Sequence, residues 1–175
     1  TYYLRVRTLT PAHGDQANDL WSSYSGEVSG AATPAGEGVS TELGDGVTMG
    51  FDDVLTGGIT SLVTSNEPGI EQPSGFQLMD TYYAITTTAE LSGDVGIDLT
   101  IAYDDTGLTQ AEEEAIALLH FENGEWVDCT VSRDMEANTV TGHTTSLSWF
   151  AASSPSTVVE RSSLLSPGWN LISLG

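Results

Sequence analysis

Strict alternation of apolar and polar residues over one short stretch constrains the fold of this chain more than any other feature. Over residues 94–103 an apolar side chain stands at every second position, namely Val95, Ile97, Leu99 and Ile101. A period of two residues puts these side chains on one face of a β-strand, with smaller or polar residues on the other. An antiparallel sheet with one buried face is the arrangement that such a strand favours.

The composition extends this β interpretation to the whole chain. The 175 residues include 22 Thr and 19 Ser, and Thr suits the pleated, half-buried surface of a sheet. A single cysteine, Cys129, cannot form an internal disulfide, so the fold must depend on its core. Further strands are predicted over residues 46–51, 59–64, 81–91, 115–122, 125–131, 139–140 and 146–151.

Two short motifs predict specific local structures. The run from Thr109 to Glu112 has the spacing of a capping box and predicts one short helical turn. Asn123-Gly124 predicts a two-residue hairpin, which would place Phe121 opposite Trp126. Together the pattern predicts an all-β fold, an antiparallel β-sandwich with one short helical turn and extra terminal strands.

The charge excludes whole classes of partner. The chain has 25 acidic residues against 4 basic ones, and its formal net charge is −21. Nucleic-acid binding needs clustered Lys and Arg, so nucleic acid is excluded as a partner. No apolar run reaches the roughly 18 residues of a membrane-spanning helix, so membrane insertion is not expected.

The first 35 residues are expected to form a hairpin appendage. Strand-like segments cover residues 2–7 and 21–32, with a polar loop between them. The residues that carry a family resemblance are Thr1-Tyr2-Tyr3-Leu4-Arg5-Val6-Arg7, Trp21-Ser22-Ser23-Tyr24-Ser25, Val28 and Ala32-Thr33-Pro34. This segment resembles the last two strands of a fibronectin type III domain.

A second resemblance covers about residues 44–153, within a main body expected over residues 36–153. It rests on Pro73-Ser74-Gly75-Phe76, Thr81-Tyr82-Tyr83-Ala84-Ile85-Thr86-Thr87-Thr88-Ala89, Ile101-Ala102-Tyr103-Asp104, Leu118-Leu119-His120-Phe121-Glu122-Asn123-Gly124-Glu125-Trp126-Val127-Asp128 and Ser146-Leu147-Ser148-Trp149-Phe150-Ala151. These motifs resemble a β-sandwich module of secreted bacterial and archaeal multi-domain surface proteins and, distantly, the ZU5 domains of eukaryotic scaffolds. The resemblance implies an immunoglobulin/ZU5-like sandwich, an extracellular or cell-surface location in a prokaryote, and a structural role without enzymatic activity.

Both ends of the chain carry strand-like apolar segments without a complete domain around them. Residues 154–175 are interpreted as a linker followed by a terminal strand. Unpaired strands offer free N–H and C=O groups to a neighbour, and strand donation from copy to copy builds a filament. The predicted assembly residues are Tyr3, Leu4, Val6, Trp169, Leu171 and Ile172.

Paired carboxylates are the candidate metal ligands. Asp52 with Asp53, and Asp104 with Asp105, follow strand-like segments and offer the oxygen ligands that Ca²⁺ takes. None has EF-hand spacing. Calcium would also screen the repulsion between acidic copies.

Three alternatives to the assembly interpretation remain open. The first is self-cleavage: some domains similar to ZU5 domains cleave themselves at a His-x-Ser/Thr sequence, and His143 and Thr145 have that spacing here. By this resemblance, His143 would act as base for the attacking hydroxyl. A calcium-dependent carbohydrate- or protein-binding adhesion module is the second, with exposed tryptophans as sugar platforms. The third is a monomeric spacer whose terminal segments fold back on the same sandwich.

Overall fold

The computed structural model describes residues 2–4, 7–12, 18–22, 28–66, 69–70, 76–93 and 96–155. Within these residues it contains one short helix, α1 (Gln110–Glu114), and fifteen strands. In chain order the strands are β1 (Tyr2–Leu4), β2 (Leu9–Thr10), β3 (Leu20–Trp21), β4 (Val28–Thr33), β5 (Gly36–Gly44), β6 (Val47–Thr56), β7 (Gly58–Ser65), β8 (Phe76–Thr87), β9 (Glu90–Leu91), β10 (Ile97–Ala102), β11 (Ala117–Glu122), β12 (Glu125–Asp128), β13 (Thr130–Asp134), β14 (Thr139–Thr144) and β15 (Trp149–Pro155).

The strands form two packed sheets and one separate pair. The first sheet has the order β1-β4-β7-β8-β15-β11-β12, and the second has the order β13-β14-β10-β6-β5, with β9 added beside β6. Strands β2 and β3 pair only with each other in the described chain. The strand pairs are antiparallel. The predicted all-β antiparallel sandwich with one short helix is therefore confirmed.

The main core lies between the two sheets. Its largest fully buried side chains are Phe51, Phe150, Leu43, Met49, Leu62, Ile85, Ile97, Leu99, Ile101, Ile116 and Leu118. A second buried group, Tyr82, Ala117, Leu119 and Ala151, is not part of that core. Cross-strand pairing puts Leu119 opposite Ala151 and Ala151 opposite Tyr82, on the outer face of the first sheet. That sheet is therefore buried on both faces over β8, β15 and β11.

Threonine hydroxyls form a polar chain inside one end of the sandwich. The Oγ1 atom of Thr60 lies 2.7 Å from that of Thr33 and 2.9 Å from that of Thr87. Thr41 Oγ1 donates to Thr33 Oγ1 at 3.4 Å. Because buried hydroxyls need partners, the threonines of β4, β7 and β8 satisfy one another within the first sheet, and the bond from Thr41 joins them to the second sheet.

The local signals in the sequence proved accurate where short-range chemistry decides the structure. In β10 the side chains of Ile97, Leu99 and Ile101 are buried, as their alternation predicts. Thr109 caps α1, and both hydrogen bonds of the capping box are present. The Asn123-Gly124 turn has positive φ at both residues and pairs Phe121 with Trp126.

Strand limits differ from the prediction where the chain passes between sheets. Residues 81–91 were expected to form one strand. In the structure β8 ends at Thr87, and Glu90–Leu91 form β9 in the other sheet. The segment over residues 125–131 likewise divides at Cys129, with β12 and β13 in different sheets. Strand β5 was not expected, because its glycines at 36, 38 and 44 obscure the β pattern.

The N-terminal segment joins the sandwich through β4. This strand pairs with β7 over residues 28–33, and its Ser29, Ala31 and Thr33 are buried. The expected boundary at residue 36 therefore falls between two strands of the sandwich, and β4 belongs to its first sheet. Strand β15 continues to Pro155, two residues beyond the expected end of the main body.

Candidate functional site

The first candidate site is the outer edge of β1, at the end of the first sheet. One side of β1 pairs with β4, with Tyr2 opposite Gly30 and Leu4 opposite Val28. Tyr2 is 80% exposed and Leu4 is 65% exposed. Because successive residues of a strand point to opposite faces, Tyr2 and Leu4 share one face and Tyr3 lies on the other. This β1 edge therefore presents uncharged apolar side chains to solvent.

Tyr3 contacts the second sheet of its own chain. A β-carbon at Gly44, the last residue of β5, would lie 2.7 Å from the Tyr3 hydroxyl oxygen. Gly44 also has a φ of 97°, which favours glycine. Tyr3 and Leu4 are thus the predicted assembly residues that the structure describes; Val6, Trp169, Leu171 and Ile172 lie outside the described residues.

The other end strands of the two packed sheets in the described chain carry charged side chains, whereas the separate β2–β3 pair, like β1, has none. Strand β12 ends one sheet, and β13 and β5 end the other. Gly38 of β5 has a φ of 60° in the left-handed region, and β13 contains a register shift. Charge and irregular backbone both discourage an edge from pairing with another chain. The charged residues on these three strands are Glu125 and Asp128, Arg133 and Asp134, and Glu37 and Glu42.

The two predicted carboxylate pairs lie at opposite ends of the sandwich. Asp52 accepts a hydrogen bond from Gly96 N, just before β10. Asp104 lies just beyond the end of β10, eight residues after Gly96, which corresponds to about 25 Å along a strand. Among the described residues no group of three or more His, Cys, Asp or Glu side chains could hold a metal ion. The structure therefore does not bring Asp52 and Asp53 together with Asp104 and Asp105.

Asp104 has a local structural role. Its Oδ1 atom accepts a hydrogen bond from Thr106 N at 2.9 Å. Hydrogen bonds from the side chain and the backbone of Thr106 lower the pKa of the Asp104 carboxyl. An acid that turns the chain after a strand is the common use of Asp at such a position.

His143 lies beside Asp52 on the outer face of the second sheet. It stands opposite Asp98 across the β10–β14 pair, and its Nδ1 atom is 2.7 Å from Asp98 Oδ1. Gly96 lies beneath this group, since a β-carbon there would contact both the His143 ring and the Asp52 carboxylate. Asp52 and His143 are among the residues predicted from the sequence, but Asp98 is not. It lies 45 residues before His143, and strand register brings the two together.

The geometry gives His143 a partner other than the predicted nucleophile. Thr145, the hydroxyl residue of the self-cleavage hypothesis, lies beyond the last residue of β14 and is exposed. The Nδ1 atom of His143 contacts Asp98 on the neighbouring strand. Self-cleavage at this step stays a prediction.

His120 is the second histidine of the described chain, and it is buried in the first sheet. Its Nδ1 atom lies 3.1 Å from Glu122 Oε1 and 3.2 Å from Thr144 Oγ1. The ring stacks on Phe150 with centroids 4.2 Å apart and an interplanar angle of 5°. Its Nε2 atom is buried without a hydrogen-bond partner. Burial lowers the pKa of His120, although the nearby Glu122 charge acts in the opposite direction.

The remaining polar features are open or structural. A groove of about 500 Å³ is lined by Asp45, Thr64, Ser65, Asn66, Thr81 and Tyr83. Trp126, a candidate sugar platform, instead packs against Phe121 and Tyr82 at centroid distances of 5.3 and 5.9 Å.

The thiol of Cys129 donates to Leu118 O at 3.2 Å, and its pKa is raised to about 12 by burial and by Asp128. A thiol with that pKa is a poor nucleophile at neutral pH.

Comparison with known proteins gives no match: no family model, no curated protein and no solved structure is significantly similar to this chain. In the described residues, the structure contains no helix long and apolar enough to cross a membrane.

Proposed function

We propose that this chain is a non-enzymatic structural module of a prokaryotic extracellular or cell-surface protein, which docks to a neighbouring copy through strand addition at β1. The observation that carries the proposal is the β1 edge, where Tyr2 and Leu4 are 80% and 65% exposed and no charged side chain intervenes. A strand added there would hydrogen-bond to β1, and alternate side chains would determine its register. An adjacent domain of the same surface protein is the second possible occupant.

The contrast between the sheet edges supports this choice. Natural sheets protect their edges with charges, bulges or short strands. Strands β5, β12 and β13 carry acids or Arg133, whereas the described residues of β1 carry no charged side chain. Among the end strands of the two packed sheets in the described chain, this difference supports β1 as the edge available to a partner.

Electrostatics predict how this assembly responds to salt and calcium. Two copies of a chain with a net charge of −21 repel each other. Cations between the copies would weaken that repulsion, and the exposed carboxylates are their natural ligands. Calcium therefore enters the proposal as an intermolecular counter-ion, and its removal should weaken assembly.

A monomeric spacer is the second candidate function, and one observation favours it. Strand β1 already pairs with β4 of the same chain, and Tyr3 contacts Gly44 of the same chain. Under this alternative the N-terminal segment completes its own sheet and needs no partner. The same experiment separates the two functions.

The test measures the size of the assembly with a matched pair of edge variants. Light scattering and electron microscopy would be applied to the chain, with and without millimolar calcium. Leu4→Lys places a cation on the β1 edge, and Val131→Lys places one on the β13 edge at a side chain that is 60% exposed. Both changes reduce the net negative charge equally, so charge alone would favour association in both variants.

The proposal expects oligomers or filaments that Leu4→Lys abolishes and Val131→Lys preserves. Deletion of residues 166–175 tests donation from the C-terminal segment separately. A calcium-indifferent monomer would favour the spacer. If filaments form in the Leu4→Lys variant but not after the deletion, the C-terminal segment and not β1 provides the docking strand.

A further inference from the structure

The connection between the two sheets near His120 is held by a small set of side chains. This connecting segment, residues 145–148, joins β14 to β15. Ser146 Oγ donates to Glu122 Oε1 at 2.6 Å, and Ser148 Oγ donates to Phe121 O at 2.5 Å. Thr144 Oγ1 accepts from Ser146 N at 3.2 Å and lies beside His120 Nδ1.

We propose that His120 acts as an acid-sensitive lock, which holds the connecting segment against β11 at neutral pH and releases it as the pH falls. At neutral pH the Nδ1–H group of the neutral ring donates toward Glu122 and Thr144. Nε2 is then an unprotonated acceptor and can remain without a partner at modest cost. This is the neutral tautomer in which His120 itself donates to the Glu122 carboxylate.

Protonation changes what the pocket must satisfy. It converts Nε2 into an N–H donor, at an atom that is buried without a partner, while the ring stacks on Phe150. A buried donor without an acceptor is costly, and a buried cation more so. If the ring leaves, Thr144 and Glu122 lose their shared partner, and both of them hold Ser146.

The charged surroundings of His120 partly oppose release. On its own strand Glu122 favours the imidazolium through Nδ1, and Glu125 lies opposite Glu122 in the hairpin. Phe150 of β15 and Thr144 of β14, which contact the ring, are uncharged. Burial is the larger influence, so the pKa of His120 in the closed form is lowered.

The sign of the pH dependence follows from that direction. A released or unfolded His120 has an ordinary pKa near 6.5 and binds a proton that the closed form resists. The stabilisation is fully present above about pH 6.5 and is lost as the pH falls below it. Each pH unit below 6.5 favours the open form by up to about tenfold, until the pKa of the closed form is reached.

Hydrogen exchange can test this lock on the intact chain. Exchange would be measured by mass spectrometry at pH 7.5 and 5.5 and corrected for the intrinsic rate. Peptides from β11 and residues 144–148 should open up to about tenfold more often at pH 5.5. His120→Gln should remove that pH dependence, and His143→Gln, the matched surface control, should keep it.

Two results would overturn the proposal. One is exchange that rises equally in β6 and β10, because the acid effect would then be global. The other is a pH response that is absent from the unaltered chain or is removed by His143→Gln. If His120→Gln fails to fold, nitrogen NMR of the unaltered chain decides: a closed form in which His120 titrates at or above pH 6.5 would refute the lock.

Discussion

The interior between the two sheets and the N-terminal hairpin, here β1 together with the β2–β3 pair, are both rich in apolar residues, but they expose them very differently. Leu99 and Phe150 in the interior are fully buried, at 0% exposure. Leu4 and Leu20 in the hairpin are 65% and 55% exposed. Apolar area stabilises a fold only when it is removed from water, at about 25 cal/mol per Å². The interior therefore supplies the free energy of folding, and the hairpin keeps apolar side chains exposed to water.

The two regions also differ in what holds them together. On its first sheet the interior contains the hydrogen-bonded chain of Thr33, Thr60 and Thr87. In the described residues, β2 and β3 pair at two positions, a backbone bond from Ser22 N to Thr8 O extends the pair, and Ala12 N donates to Asp19 Oδ1 at 2.8 Å. A short two-stranded pair is marginal by itself in water. The β2–β3 pair should therefore open without unfolding the sandwich.

Thiol reactivity should give the largest difference between the two regions. Because the pKa of Cys129 is about 12, its thiolate fraction at pH 8 is about a thousandfold smaller than that of a free cysteine. Alkylation of folded Cys129, followed by mass spectrometry, should be slower than in denaturant by at least that factor. A Leu4→Cys, Cys129→Ala variant is the control and should react at the rate of a free thiol. Labelling of Cys129 within tenfold of the denatured rate would contradict a closed interior.

Truncation of the interior should have the next largest effect. Leu99 lies in the middle of β10 with no exposed surface. Leu99→Ala removes buried methyl groups and leaves a cavity, which costs about 2–5 kcal/mol in the free energy of unfolding. Urea denaturation followed by tryptophan fluorescence would measure the change. A loss below about 1 kcal/mol would mean that the sheets collapse around the site.

The polar chain inside the sandwich should contribute less. Thr60 is fully buried and contacts the hydroxyls of Thr33 and Thr87. Thr60→Val keeps the shape but removes both contacts, and it should cost about 1–3 kcal/mol because the remaining hydroxyls are left unsatisfied. Thr86→Val, on an exposed position of the same sheet, is the control and should stay within about 0.5 kcal/mol. If the two changes have equal effects, the threonine hydrogen bonds contribute no more to stability than an exposed hydroxyl does.

The sequence predicted those parts of the fold that depend on neighbours along the chain. The alternation over Ile97, Leu99 and Ile101, the Thr109 cap and the Asn123-Gly124 turn each follow from short-range geometry. The sheet changes at Thr88 and Cys129 could not be predicted, because a strand pattern does not tell which sheet a strand joins. Strands of both facing sheets have the same alternation of buried and exposed residues, so the alternation does not distinguish one sheet from the other.

The candidate sites show the same limit more strongly. The Asp98–His143 contact and the His120–Thr144 contact each join residues far apart in sequence. Neither residue pair forms a motif. The register of β10 with β14 creates the first contact, and the packing of β11 against β14 of the facing sheet creates the second. His120 lies in an apolar run of the sequence, and this is the signal that indicates a buried histidine. A buried titratable side chain needs a partner.

The smallest effect on stability is expected at the β1 edge, where the consequence for assembly should be largest. Leu4 is 65% exposed and lies in a three-residue strand, so Leu4→Ala should change the free energy of unfolding by less than about 0.5 kcal/mol. If a second copy covers this side chain, the same change should weaken association, because apolar area buried by the partner is lost. Denaturation of dilute monomer and light scattering at higher concentration would separate the two effects. A loss of stability above about 1.5 kcal/mol in dilute monomer would mean that Leu4 is buried by its own chain, and the contrast between the interior and the hairpin would then no longer hold.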